Sequence, residues 1–127
     1  MPTKFAGLRI FLVEDEAIIA MLLERTLQNL GITVLGPFGR LSDALDMARS
    51  QDFDGAILDV TIRGGHVYPV AELLMTRGIP FVLATGYSLD HLPVNLRDQR
   101  LLRKPYSTDD ITAALQYLAS TNLHRAG

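Results

Sequence analysis

Apolar positions follow two rhythms along this chain. Residues 8–13 form a short apolar run, broken at Arg9, that ends in Glu14-Asp15-Glu16, after which apolar residues recur at helical spacing: Ile19, Leu22, Leu23, Thr26, Leu27 and Leu30 fall on one face. A buried strand feeding an amphipathic helix is predicted, with Gly31 placed where a C-terminal glycine stops a helix. Residues 32–38 read as the next strand. Ser42 can cap a helix through Ala44, Leu45 and Ala48, and Asp54-Gly55 makes a turn before an apolar strand over 56–60. The rhythm repeats with a helix over 67–76, whose first turn accommodates Pro69 and whose end is marked by Gly78, and a strand over 81–84. A weaker helix over 89–97 is interrupted by Pro93; a strand over 101–103 and a last helix over 107–120, capped by Ser107 or Thr108, complete the pattern. Five strands interleaved with five helices predict a parallel sheet covered on both faces, because parallel neighbours need crossovers.

Composition narrows this picture. At 127 residues the chain is expected to be one domain, 1–127, with a core over about 8–120, because domains commonly run to roughly 100–150 residues. The absence of Cys excludes a disulfide framework, Cys-ligated metal and Cys nucleophiles. Twelve basic and 14 acidic residues leave a net charge of −2, which gives no electrostatic case for nucleic-acid binding. Apolar stretches such as 17–23 fall short of the ~20 residues that cross a bilayer, and residues 1–7 lead into no signal-like apolar segment. A soluble, cytoplasmic protein is expected.

In an open α/β sheet, ligands bind outside the carboxyl ends of the strands. There the first strand presents Glu14 and Asp15, the third Asp59, the fourth Thr85 and the fifth Lys104. Taken singly, each has an ordinary role: Asp15 as a helix cap, Asp59 as a turn residue, Thr85 as a β-branched strand end, Lys104 as a solvated charge. Together they place carboxylates, a hydroxyl and an ammonium at one edge.

With Val13-Glu14-Asp15-Glu16, Ile57-Leu58-Asp59-Val60, Leu83-Ala84-Thr85-Gly86 and Lys104-Pro105-Tyr106 in this order, the chain resembles the response-regulator receiver family of two-component signalling over residues 8–120. Singly these motifs are weak; as a set they are specific. The resemblance implies a flavodoxin-like doubly wound sheet of order 2-1-3-4-5 with five helices. It implies Mg²⁺-dependent phosphoryl transfer onto Asp59 from a histidine kinase or histidine phosphotransfer protein, with signalling by protein contact rather than enzymatic turnover. Asp15 is then the principal acidic metal ligand, Glu14 acts through water, and Asp59 and the Thr61 carbonyl complete the protein ligands. Lys104 pairs with a phosphoryl oxygen and Thr85 donates its hydroxyl to another. The Lys104–Pro105 bond is expected to be cis. The charges agree with a divalent ion: three carboxylates against one ammonium leave −2, and hard Mg²⁺ suits oxygen ligands.

Several positions depart from the common receiver pattern. Leu101 stands where many receivers carry an aromatic switch residue, and Phe81-Val82-Leu83-Ala84-Thr85-Gly86-Tyr87 resembles a divergent subgroup with a Phe-Ala-Thr-Gly-type run, in which Tyr87 is the candidate replacement switch. Arg63 followed by Gly64-Gly65 replaces the usual proline after the phosphoacceptor, so a more mobile loop is expected there, with Arg63 facing either the phosphoryl group or water. His66 has no Cys or His partner at ligand spacing. Ile18 and Met21 project off the core face of the first helix and are either scattered surface apolars or the docking ridge for a phosphodonor protein. The surface around Leu89, Leu92, Leu101 and Tyr117 corresponds to the family's output and dimerisation face, so a homodimer is among the expected partners.

Three other readings compete. An aspartate-nucleophile phosphohydrolase of the haloacid-dehalogenase pattern needs Asp-x-Asp on the first strand. A flavin or nucleotide binder needs a glycine-rich loop where Glu14-Asp15-Glu16 stands. A receiver-like interaction module that is never phosphorylated would not require Asp59, Thr85 and Lys104 together.

Overall fold

The computed structural model describes residues 5–86 and 92–126, with side chains through 121. Strands β1 (Arg9–Val13), β2 (Thr33–Phe38), β3 (Gly55–Asp59), β4 (Phe81–Thr85) and β5 (Arg100–Arg103) alternate with helices α1 (Ala17–Asn29), α2 (Leu41–Ser50), α3 (Tyr68–Arg77) and α4 (Thr108–Ala126). All pairings in the main sheet are parallel, in the order β2-β1-β3-β4-β5, which is the doubly wound flavodoxin-like arrangement. Strand side chains alternate between two cores. Phe11, Leu58 and Leu83 face α2 and α3, while Ile10, Leu12, Ile57 and Val82 face α1 and α4. No helix among the described residues is long and apolar enough to cross a membrane.

Helix ends explain several boundaries. Gly31, at φ +84°, follows α1, and the Ile32 amide donates back to the Leu27 carbonyl at 3.1 Å, as a glycine-terminated helix requires. Ser107 and Asp110 cap α4 reciprocally, each side chain accepting the other's backbone N–H at 3.1 and 2.8 Å. Ser42, by contrast, lies inside α2, and Arg40 occupies the N-cap without a side-chain bond. Asp15 does not cap α1 either: Glu16 holds that position, also without a side-chain cap. Of the expected fourth helix, residues 92–97 contain a 3-10 turn, Val94–Leu96, and residues 87–91 lie outside the described residues; among the described residues four α-helices are found where five were expected.

Two irregularities shape the site edge. In β1–β2 the register slips between Phe11 and Val13, where Gly36 takes φ +115° and an added Cβ would stand 2.6 Å from the Leu12 carbonyl. Both Gly36–Pro37 and Lys104–Pro105 are cis. After the slip, Phe38 accepts the Glu14 amide at 2.9 Å, which carries the β2–α2 connection across the end of β1. The segment after β3 is an antiparallel hairpin, Thr61–Ile62 with Gly65–His66, rather than a loose loop. It is tied to the β2–α2 connection by Leu41 N to Arg63 O at 2.9 Å and Arg63 N to Gly39 O at 3.2 Å.

Candidate functional site: an acidic cleft at the carboxyl edge of the sheet

Parallel pairing in matched register brings the ends of β1, β3 and β4 to one level, with Val13 beside Leu58 and Asp59 beside Ala84. Glu14, Asp59 and Thr85, all from distant parts of the chain, are thereby 3%, 6% and 4% exposed. A cleft of about 510 Å³ opens over them, lined by Asp15, Glu16, Asp59, Val60, Thr61, Thr85, Gly86 and Lys104. The Lys104 amide donates to the Thr85 carbonyl at 3.0 Å, which holds the start of the lysine against β4.

The ammonium of Lys104 organises the charges. Nζ lies 3.2 Å from Asp59 Oδ2, 3.1 Å from Glu14 Oε1 and 3.8 Å from Glu16 Oε1. Glu14 Oε1 is thus ion-paired with Lys104, while Oε2 accepts the Glu16 amide at 3.1 Å. One cation does not neutralise this pocket. Burial, followed by the proximity of Glu14, raises the Asp59 pKa from 3.8 to about 7 against the opposing pull of Lys104. For Lys104, burial lowers the pKa, but Asp59 and Glu14 outweigh it and the net direction is upward from 10.5.

The donor set fits a hard divalent cation. Glu14, Asp15 and Asp59 each offer a carboxylate oxygen, all within 4.8 Å of one another. Opposite ligands of an octahedral Mg²⁺ stand about 4.2 Å apart, at ~2.1 Å each from the ion, and one water-mediated contact widens that span. Burial of Asp59 together with the neighbouring charge of Glu14 favours such an ion. Thr61 lines the same cleft.

No family model matches the chain. PdtaR of Mycobacterium tuberculosis, a transcriptional regulatory protein, is 30% identical over 116 residues, 88% of this chain, which spans 57% of that protein. The receiver domain of the sensor histidine kinase PA1611 of Pseudomonas aeruginosa PAO1, with a magnesium ion coordinated in its active-site cleft, shares the fold at 23% identity and a TM-score of 0.79. That alignment covers 91% of this chain and 99% of the PA1611 domain. SdrG of Sphingomonas melonis Fr1 is 43% identical, with a TM-score of 0.77, over 88% of this chain and 96% of SdrG. This chain belongs to the response-regulator receiver family. SdrG has also been solved in a BeF₃-activated conformation, which this receiver matches at 44% identity and a TM-score of 0.74, over 89% of its own chain and 97% of SdrG.

The remaining expected positions fall elsewhere on the receiver. Ile18 and Met21 are 70% and 52% exposed on α1. Leu22, assigned to the core face by spacing, is 56% exposed because the helix turns Ala20, Leu23 and Leu27 inward. Beside this ridge lies an apolar groove of about 610 Å³ between α1 and the β5–α4 junction, with Leu22, Thr26, Tyr106 and Ile111 in its walls. Leu101 is half-buried against the α2–α3 core. Tyr87, the candidate switch, lies outside the described residues. Arg63 does not line the acidic cleft, and His66 stacks on Tyr68 at 4.8 Å.

Two contributors escaped the sequence reading. Glu16 reaches Lys104 from the exposed side of the cleft. The Tyr106 hydroxyl is buried without a hydrogen-bond partner among the described residues, and burial followed by the charges of Glu14, Asp59 and Glu16 pushes its pKa upward. Its position two residues beyond Lys104 was the available signal.

Proposed function

We propose that this receiver is a response regulator that accepts a phosphoryl group on Asp59 from a phosphohistidine donor and signals through protein contacts. The observation that carries the reading is the buried Asp59 carboxylate, paired with Lys104 at 3.2 Å inside a cleft that Thr85 also lines. In the transfer, an Asp59 carboxylate oxygen attacks phosphorus, the P–O bond forms, and the P–N bond to the donor imidazole breaks. Asp15, Asp59, the Thr61 carbonyl and, through water, Glu14 would hold Mg²⁺, which when bound would supply positive charge to the phosphoryl oxygens. Lys104 then pairs with one phosphoryl oxygen and the Thr85 hydroxyl donates to another. The added charge, about one unit, draws the end of β4 inward as the switch.

The magnesium-bearing PA1611 receiver and the BeF₃-activated SdrG support this chemistry. In this reading residues 8–120 act as a single receiver domain in the cytoplasm, α1 with Ile18 and Met21 meets the kinase or phosphotransfer protein, and Tyr87 rather than Leu101 reports the switch, as in the Phe-Ala-Thr-Gly-type subgroup. A phosphohydrolase is not favoured, since Thr61 stands two residues after Asp59 where an acid is needed.

Incubation with acetyl phosphate and Mg²⁺, followed by intact mass, tests the proposal. The wild type is expected to gain one phosphoryl group, and Asp59→Asn none. No Mg²⁺-dependent adduct in the wild type, or an undiminished one in Asp59→Asn, would overturn it.

A further inference from the structure

The β3–α3 hairpin brings a second group of like charges together, outside the acidic cleft. Arg40, just before α2, and Arg63, in the hairpin, are partners in an isolated parallel β-bridge. Bridge partners project from the same face of a ladder, so the two guanidinium groups leave the backbone side by side. Both residues are exposed, and neither pairs with a carboxylate among the described residues. Facing like charges destabilise a ladder unless an anion offsets them.

Between them runs a groove of about 320 Å³ lined by Arg40, Leu41, Ser42, Leu45, Arg63 and Gly64. Its floor is apolar: Leu41 and Leu45 are half-buried and pack down onto the α2–α3 core. Its walls are held by the backbone bonds between residues 39–41 and Arg63. Gly64, at φ +98°, seats the hairpin so closely on α2 that an added Cβ would stand 3.3 Å from the Leu41 Cβ. Asp43 shares the first turn of α2 but does not line the groove. Two cations above an aliphatic floor match a ligand that joins a carboxylate to an apolar side chain, whereas a small inorganic anion would leave Leu41 and Leu45 uncovered.

We propose that this groove docks an acidic peptide segment of a partner protein, with a carboxylate between Arg40 and Arg63 and an adjacent aliphatic side chain on Leu41 and Leu45. Arginine forks bind carboxylates through paired hydrogen bonds, and the apolar contact adds selectivity over free anions. The groove shares no lining residue with the acidic cleft.

Amide NMR titration of the full unphosphorylated chain tests this, using acetyl-Glu-Glu-Leu-Glu-amide at fixed ionic strength, with acetyl-Lys-Lys-Leu-Lys-amide and inorganic phosphate in parallel. Saturable shifts are expected at residues 39–45 and 62–66 with the acidic peptide, and roughly tenfold weaker binding in R40E/R63E, the loss expected from removing charge-assisted hydrogen bonds. The uncharged Arg40→Gln and Arg63→Gln variants give the same comparison if the double reversal does not fold. An equal response to the lysine peptide, phosphate binding as tight as the acidic peptide, affinity unchanged by the substitutions, or no saturable shift would each overturn the proposal. Neither phosphoryl donor nor Mg²⁺ is present, so this result and the fate of the phosphoacceptor reading are independent.

Discussion

The acidic cleft and the Arg40–Arg63 groove both crowd like charges, and burial separates their consequences. In the cleft, Glu14 and Asp59 are almost fully buried, so water screens them poorly and the carboxyl of Asp59 is driven up to about 7 despite the ammonium beside it. In the groove, Arg40 and Arg63 stand open to solvent, where salt screens charges within about 8–10 Å. The same hairpin separates the two regions by a few residues, so depth rather than charge count makes the cleft reactive and leaves the groove as a recognition surface.

Removing the cation from the buried side should have the largest effect. Lys104 is 18% exposed and is the charge partner of both Glu14 and Asp59. Lys104→Met keeps much of the apolar stem and should destabilise the metal-free protein by about 2–3 kcal/mol at neutral pH, since it leaves buried charge unpaired. Urea denaturation would measure this, and Mg²⁺ should restore much of the loss. A change below about 0.5 kcal/mol, the scale of exposed ion pairs, would erase the contrast between the regions.

A smaller effect, opposite in sign, is expected at Asp59. Its folded pKa is raised, so between 3.8 and about 7 the native state keeps a proton that the unfolded chain has released. Stability of the metal-free protein must therefore fall as pH rises through that window. Asp59→Asn should flatten this slope and add about 1–2 kcal/mol at pH 7.5, as seen by denaturation across pH. Carbon NMR of the wild-type carboxyl should show a midpoint near 7 that Mg²⁺ moves downward. A midpoint near 4 in metal-free protein would mean that burial does not govern the cleft.

The smallest effect belongs to the groove. Arg40→Ser removes one of two facing like charges and should change stability by no more than about 0.5 kcal/mol, with any gain vanishing at about 0.5 M salt. Thermal denaturation at two salt concentrations measures it, and a large salt-independent loss would show that the arginine serves structure instead.

Much of the frame was legible because it depends on local spacing. Short apolar runs identified β1, β3 and β4, and Gly31 and Ser107 marked helix ends through backbone geometry and capping that involve neighbours in sequence. The strand ends carrying Glu14, Asp15, Asp59, Thr85 and Lys104 were likewise legible, since a parallel sheet must bring them to one edge. Local rules failed where tertiary contacts decide. Ser42 has good capping chemistry, yet the bridge to Arg63 starts α2 earlier; Leu22 fits the core periodicity, yet α1 turns it toward the groove shared with Tyr106. Gly64-Gly65 suggests mobility, but pairing with the β2–α2 connection makes a hairpin of it.

The sequence by itself determined the element order, the parallel sheet and the identity of the strand-end residues, because hydrophobic period and turn chemistry act within a few residues. Tertiary structure alone decided that Lys104 sits between Glu14 and Asp59, that Asp59 is buried deeply enough to shift, and that Arg40 and Arg63 face each other. Each of these depends on register between segments 20 to 90 residues apart, and Coulomb energies depend on the distances and burial that register sets.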